Sequence, residues 1–170
     1  AEDSSLWLAG CRFLDNESFY VGGACAFWGN GSPRIERCQF RGQQASSDGG
    51  AIFVYGPAIT IVNCVIAGNV SGWYGGGLAK SGEQGSVVIT NCSVADNQAN
   101  RGGGLSLFNS CTVTNCIVWG NQATYFEQIY GDPTVQYSDV QDGYPGTGNI
   151  DQDPVFYGYS PFAYHLMMTS

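Results

Sequence analysis

The heptapeptide NCVIAGN at residues 63–69 returns as NCSVADN at 91–97 and as NCIVWGN at 115–121. Each copy opens on Asn-Cys and closes on Asn. Working outward from these copies, cysteines fall at Cys11, Cys38, Cys64, Cys92 and Cys116, separated by 27, 26, 28 and 24 residues. Two residues after each stands an apolar side chain: Phe13, Phe40, Ile66, Val94 or Val118. Five after each stands an amide: Asn16, Gln43, Asn69, Asn97 or Asn121. Three before each stands Leu8, Ile35, Ile61, Ile89 or Val113. Glycine pairs run in parallel, opening at Gly22, Gly49, Gly75 and Gly102. A degenerate further copy, TVQYSDVQDG at 134–143, has Ser138 in the cysteine place.

A fixed period of this length marks a repeat architecture. The repeats are rich in Val, Ile, Thr and aromatics, with period-two runs such as TIVN (60–63) and VVIT (87–90), which is strand patterning. Glycines in nearly every repeat argue against helices. The expected fold is all-β: a right-handed parallel β-helix of about six coils, each with three short strands and tight turns. Coils would stack about 4.8 Å apart, so equivalent residues form ladders. Cysteine is small and readily buried, and five in one inward column read as core rather than as disulfides or a metal-binding thiol row. Cys25 aligns with Ile52, Leu78 and Leu105 and also reads as core, whereas Cys111 is not assigned to a column. The closing Asn is expected to take a left-handed φ and to pair its amide with the next coil. The Gly pairs mark bends where a side chain would clash. The coils are expected to span 1–142, with 143–170 as a C-terminal cap or tail.

FLDN at 13–16 fits an FxxN motif and GGAI at 49–52 fits GGA[ILV]. In these motifs the chain resembles the polymorphic outer-membrane protein repeats of bacteria, which are right-handed parallel β-helices in surface passenger domains. The stretch YSDVQDGYPGTGNIDQDPVF at 137–156 is similar to the closing segment of secreted bacterial β-helix proteins of the pectin-lyase-like class. The resemblance covers the chain from about residue 6 onward and implies an extracellular or cell-surface setting. It implies no single activity, because such solenoids carry enzymes, adhesins and structural proteins.

The chain of 170 residues has a net charge of −8 and only six basic residues. A phosphate backbone needs clustered Lys and Arg, so no nucleic-acid partner is expected, nor an anionic membrane surface. No run approaches the ~20 apolar residues of a membrane span, so no membrane insertion is expected. No leader peptide is recognisable; either it was removed or the sequence is part of a longer chain.

Catalysis on a solenoid requires polar residues on adjacent coils of one face. The single histidine, His165, lies in the tail, and Lys80 and Arg101 fall in different columns. Asp15, Asp48 and Asp96 are isolated, with no carboxylate pair at a spacing suited to acid–base work. No catalytic residue, metal ligand or cofactor is therefore assigned. Asp139, Asp142, Asp151 and Asp153 offer oxygen ligands for Ca²⁺, but turn and cap chemistry accounts for them as well. Asn-x-Ser sequons occur at Asn16, Asn30, Asn69 and Asn91; ladder roles explain three, so glycosylation is not inferred. A row of Thr60/Val62, Val88/Thr90 and Thr112/Thr114 faces outward, as strand propensity alone predicts.

One feature escapes the ladders. Alternate coils carry aromatic pairs before the Gly pair: Phe19-Tyr20, Trp73-Tyr74 and Tyr125-Phe126. The coils between carry SSD and ANR. A row at a two-coil period, about 9.6 Å, resembles a platform for stacking sugar rings, although cover over a loop or filling of a wide corner would use the same residues. These six residues are the candidate ligand-binding set. The expected role is structural, adhesive or self-assembling, with a glycan-binding module as the alternative and a polysaccharide-active enzyme as the third possibility. The N-terminal coil around Leu6–Ala9 offers unpaired backbone and apolar ladders, so salt-dependent self-association there, resisted by Glu2 and Asp3, is also expected.

Overall fold

The computed structural model describes residues 6–156. Those residues form 22 short strands and no helix. Each turn of chain lays down four strands. The third turn, for example, gives Ile59–Val62, Val65–Ala67, Val70–Ser71 and Leu78–Ser81. Successive turns stack in parallel and in register, so that Ile61 pairs with Ile35 on one side and Ile89 on the other. The result is a parallel β-solenoid with two six-stranded and two five-stranded sheets. It comprises five full coils and the first half of another, Thr134–Gln136 and Asp139–Val140.

Four strands per coil replace the expected three. Two of the four flank the glycine corner: residues such as Val70–Ser71 make a two-residue strand before it, and Leu78–Ser81 a separate one after it.

The core is built from the predicted ladders. Ile35, Ile61, Ile89 and Val113 form one inward stack, and Phe40, Ile66, Val94 and Val118 another, all fully buried. Phe13 caps the second stack, its ring lying 4.8 Å from that of Phe40 and parallel to it. Cys25, Ile52, Leu78 and Leu105 align as expected.

All seven cysteines are free thiols, and the ladder set has a purpose beyond filling space. The N–H of Cys38 donates to Cys64 Sγ at 3.4 Å, and that of Cys64 to Cys92 Sγ at 3.3 Å. The Cys64 thiol donates in turn to the Val62 carbonyl at 3.2 Å. Cysteine thus supplies apolar bulk and satisfies a corner N–H that sheet pairing leaves over. Ser138 does the same in the last half-coil, its Oγ accepting from Cys116 N–H at 3.1 Å. Burial, with Cys38 and Cys11 nearby, raises the Cys25 pKa to about 11.

The closing Asn does not take the left-handed conformation expected of it. That conformation falls on the residue before it, Gly68, Asp96 and Gly120, and on the opening Asn63, Asn91 and Asn115. The closing amides lie inward instead, and there the expected pairing is found. Asn69 N–H and Nδ2 donate to Asn97 Oδ1 at 3.0 and 2.8 Å, and Asn97 repeats this with Asn121 at 3.0 and 2.9 Å.

The Gly pairs meet two separate demands. The first glycine is left-handed, as at Gly75 (φ 59°), and the second has no room for a Cβ, as at Gly76. At the far end, Asp139, Asp151 and Asp153 each accept a backbone N–H, from Gln152, Asp142 and Val155. This is cap chemistry. Residues 143–156 fold back on the last coils, with Tyr144 against the core and Asn149 donating to the Val135 carbonyl. Glu2, Asp3 and His165, and the tail from 157 on, lie outside the described residues.

Candidate functional site

In the fourth sheet the inward column reads Phe27, Val54, Lys80 and Leu107, and the outward column beside it Ala26, Phe53, Ala79, Ser106 and Tyr130. The outward column has no constant residue. Its small members, Ala79 and Ser106, stand together between the rings of Phe53 and Tyr130. Small side chains on two neighbouring coils leave a hollow about two coil spacings wide, ~10 Å. The structure has a cleft of about 440 Å³ there. Ala79 and Ser106 form its floor. Tyr74 stands on the glycine-corner side, Tyr130 closes the hollow along the axis, and Ser81–Glu83 with Phe108 and Asn109 line the other side.

The aromatic wall is well ordered by its own contacts. Tyr130 stacks on Tyr74 (5.8 Å, 11°) and on Phe126 (4.9 Å, 30°), and Phe108 meets it edge-on at 4.9 Å. The Arg101 guanidinium lies over the rings of Tyr125 and Tyr130, at 5.4 and 5.7 Å, a favourable cation–π arrangement.

The six candidate residues all lie at the corner before the glycines, but not as a straight row. Tyr20, Ser47 and Trp73 follow one another up the coils, whereas Phe19 lies one position earlier. Tyr74, Arg101 and Tyr125 share the next column. Phe126 stands where earlier coils have the first glycine, with φ 58°. The coils differ in length by up to four residues, so a nearly regular spacing in sequence becomes a stepped ridge. Phe19 is 91% exposed; Tyr20, Trp73, Tyr125 and Phe126 are also exposed, and Tyr74 is half-buried against Phe53, Ala79 and Val21. The structure therefore draws Tyr74, Tyr125 and Phe126 into one cluster with Tyr130, and leaves Phe19, Tyr20 and Trp73 as a separate exposed stretch. Tyr130 and Phe108 are absent from the sequence-derived set. The large–small–small–large order of the outward column would have found Tyr130.

Two charged groups border the cleft from below. Lys80 occupies a core column yet is buried, donating from Nζ to the Gly82 carbonyl at 2.7 Å. Asp48 is half-buried, and burial raises its pKa above the ordinary carboxylate value, while hydrogen bonds from the Tyr74 backbone and the Ser47 side chain pull it back in part. The folded protein thus holds this proton more tightly than the unfolded chain does. Its contribution to stability is present below the unfolded pKa and is lost as pH rises through the folded one. Thermal unfolding followed from neutral pH into the carboxylate range should show a midpoint rise that is smaller in Asp48→Asn. An identical pH slope in the variant would contradict this assignment.

Coils of parallel strands stacked in register define the molecule as a β-helix. The match to the right handed beta helix region family extends over residues 9–140, most of the chain, and the protein belongs to that family. No curated protein and no solved structure matches it.

Proposed function

We propose that this β-helix is a carbohydrate-binding module with an adhesive role outside the cell. The observation that carries the reading is the polar-rimmed cleft over Ala79 and Ser106, walled by Tyr74 and Tyr130. Its volume, about 440 Å³, lies in the range of small-ligand sites. Rigid rings offer apolar area at little cost in conformational entropy, which suits the C–H faces of a sugar. Asp48, Ser81 and Asn109 at its edges and Ser106 on its floor supply the donors and acceptors that hydroxyl groups require. The extracellular setting is supported by the resemblance to surface and secreted repeats.

A glycan array on the unaltered protein is the direct test, followed by titration of a hit against Tyr130→Ala. Loss of that ring should weaken binding about tenfold with the fold retained. A blank array would remove the reading.

A second reading, self-association through the first coil, is favoured by Leu6 and Trp7, which are exposed, and by Leu8, Cys11 and Phe13, which are only part-buried. A heterologous end-to-end contact of this kind propagates. Sedimentation should then show larger species at high salt, abolished by Leu8→Lys; a monomer throughout would exclude it.

A further inference from the structure

We infer that the carbohydrate site continues beyond the cleft along the solenoid axis, over Tyr55 and Trp28, so that its ligand is an extended neutral oligosaccharide rather than a single terminal sugar. This rests on the carbohydrate reading above.

A second hollow of about 420 Å³ lies beside the first, lined by Tyr55, Gly56 and Gly82–Gln84. The two share Gly82 and Glu83, so they form one groove with Glu83 at the junction. Trp28, Tyr55 and Ser81 are successive members of one column at the end of the fourth sheet. Two large rings are thus followed by a small side chain where the cleft opens. Trp28 and Tyr55 are about half exposed, but they are held in place. Their rings are 5.5 Å apart, and Trp28 also lies 5.1 Å from the buried ring of Phe53. Gly82 lets the intervening loop lie against Tyr55, because a Cβ there would come within 3.0 Å of the ring. Neither Trp28 nor Tyr55 belongs to the core clusters, so packing alone does not call for two aromatics here.

With Trp28 as the ring next to Tyr55 beyond the second hollow, the surface from Trp28 on the first coil to Tyr130 on the fifth covers four coil spacings, or about 19 Å. That length accommodates a chain of sugars and is wasted on one. The charge pattern selects the class. The Lys80 ammonium is turned to the Gly82 carbonyl, while Asp48 and Glu83 line the groove and the protein carries a net charge of −8. Carboxylates accept hydrogen bonds from neutral hydroxyl groups and repel a polyanion.

The test is isothermal titration of the whole chain with cellohexaose, xylohexaose and mannohexaose, with the corresponding disaccharides, and with hexagalacturonate. At least one neutral hexasaccharide should bind about tenfold tighter than its disaccharide. Trp28→Ala and Tyr55→Ala should each remove that advantage and leave disaccharide binding unchanged, whereas Tyr130→Ala should weaken both. Trp28→Phe, which keeps a ring, should retain most of the advantage and guards against a folding defect in the alanine variant. Equal affinity for the two lengths, or a hexasaccharide indifferent to Trp28→Ala and Tyr55→Ala, would overturn the extension while leaving the cleft in place. Tighter binding of hexagalacturonate would overturn the neutral class. Failure of every sugar to bind would remove the carbohydrate reading itself, and the extension with it.

Discussion

Asn97→Ala should lower the stability of the protein by about 4 kcal/mol or more, the summed cost of several buried polar groups losing their partners. The side chain is fully buried and makes four hydrogen bonds. Its Oδ1 accepts from the Asn69 N–H and Nδ2, and its Nδ2 donates to the Ile66 carbonyl at 3.0 Å and to Asn121 Oδ1 at 2.9 Å. Alanine removes all four at a position closed to solvent. Gln43 occupies the equivalent place one coil before Asn69, so Asn97→Gln should cost much less. Urea unfolding of the two variants decides the matter. An alanine variant within about 1 kcal/mol of the parent would mean that the amide row contributes packing and little hydrogen bonding.

Gly76→Ala should be severely damaging for the addition of a single methyl group. Its Cβ would lie 2.4 Å from the Gln98 and Gly103 carbonyl oxygens and 2.6 Å from the Gln98 nitrogen. These are backbone atoms of the next coil, fixed by sheet pairing, and cannot move aside without breaking it. The expected loss exceeds about 4 kcal/mol, in the range reserved for severe overpacking. Gly68→Ala is the matched control. Gly68 is left-handed (φ 65°), but a Cβ there would meet nothing within 4 Å. The cost should be about 1 kcal/mol, and Asp96 already tolerates the same conformation one coil on. Thermal denaturation of both, with comparable losses, would refute the distinction between steric and conformational glycines.

The inner columns were legible in the sequence because packing holds them constant. Cysteine, the apolar residues on either side and the closing amide each face the same neighbours on every coil, so each recurs. The strand count was not legible, since strands such as Val70–Ser71 are only two residues long and leave no periodic trace. The left-handed residue was misplaced by one because Asn suits both a left-handed turn and a buried ladder. In each copy the chain uses Asn63-type residues for the first and Asn69-type residues for the second. The cleft was largely hidden. Its floor and wall are Ala79, Ser106 and Tyr130, members of a column whose outward side chains are free to vary, and a recess arises from that variation rather than from any repeat. Tyr130 also follows a corner where Phe126 has replaced the first glycine, so the motif that marks the other coils is missing there.

The amide row, buried from Gln43 to Asn121, runs in one sense only. Every backbone N–H in it donates toward the C-terminal neighbour, from Asn16 to Gln43, Asn69, Asn97 and Asn121. A stack ending at any of these rungs would present an unmet donor at its C-terminal face, and each further coil would supply the missing oxygen while offering a new donor of its own. The row therefore has a growing end and needs a terminator. Gln128 and Gln141 serve as one for the side-chain donor of the last rung: Asn121 Nδ2 donates to Gln128 Oε1 at 2.8 Å, and Gln128 Nε2 passes the bond to Gln141 Oε1 at 3.3 Å. Two glutamines, long enough to bend back into the row, thus stand in for the amide that a further coil would have supplied.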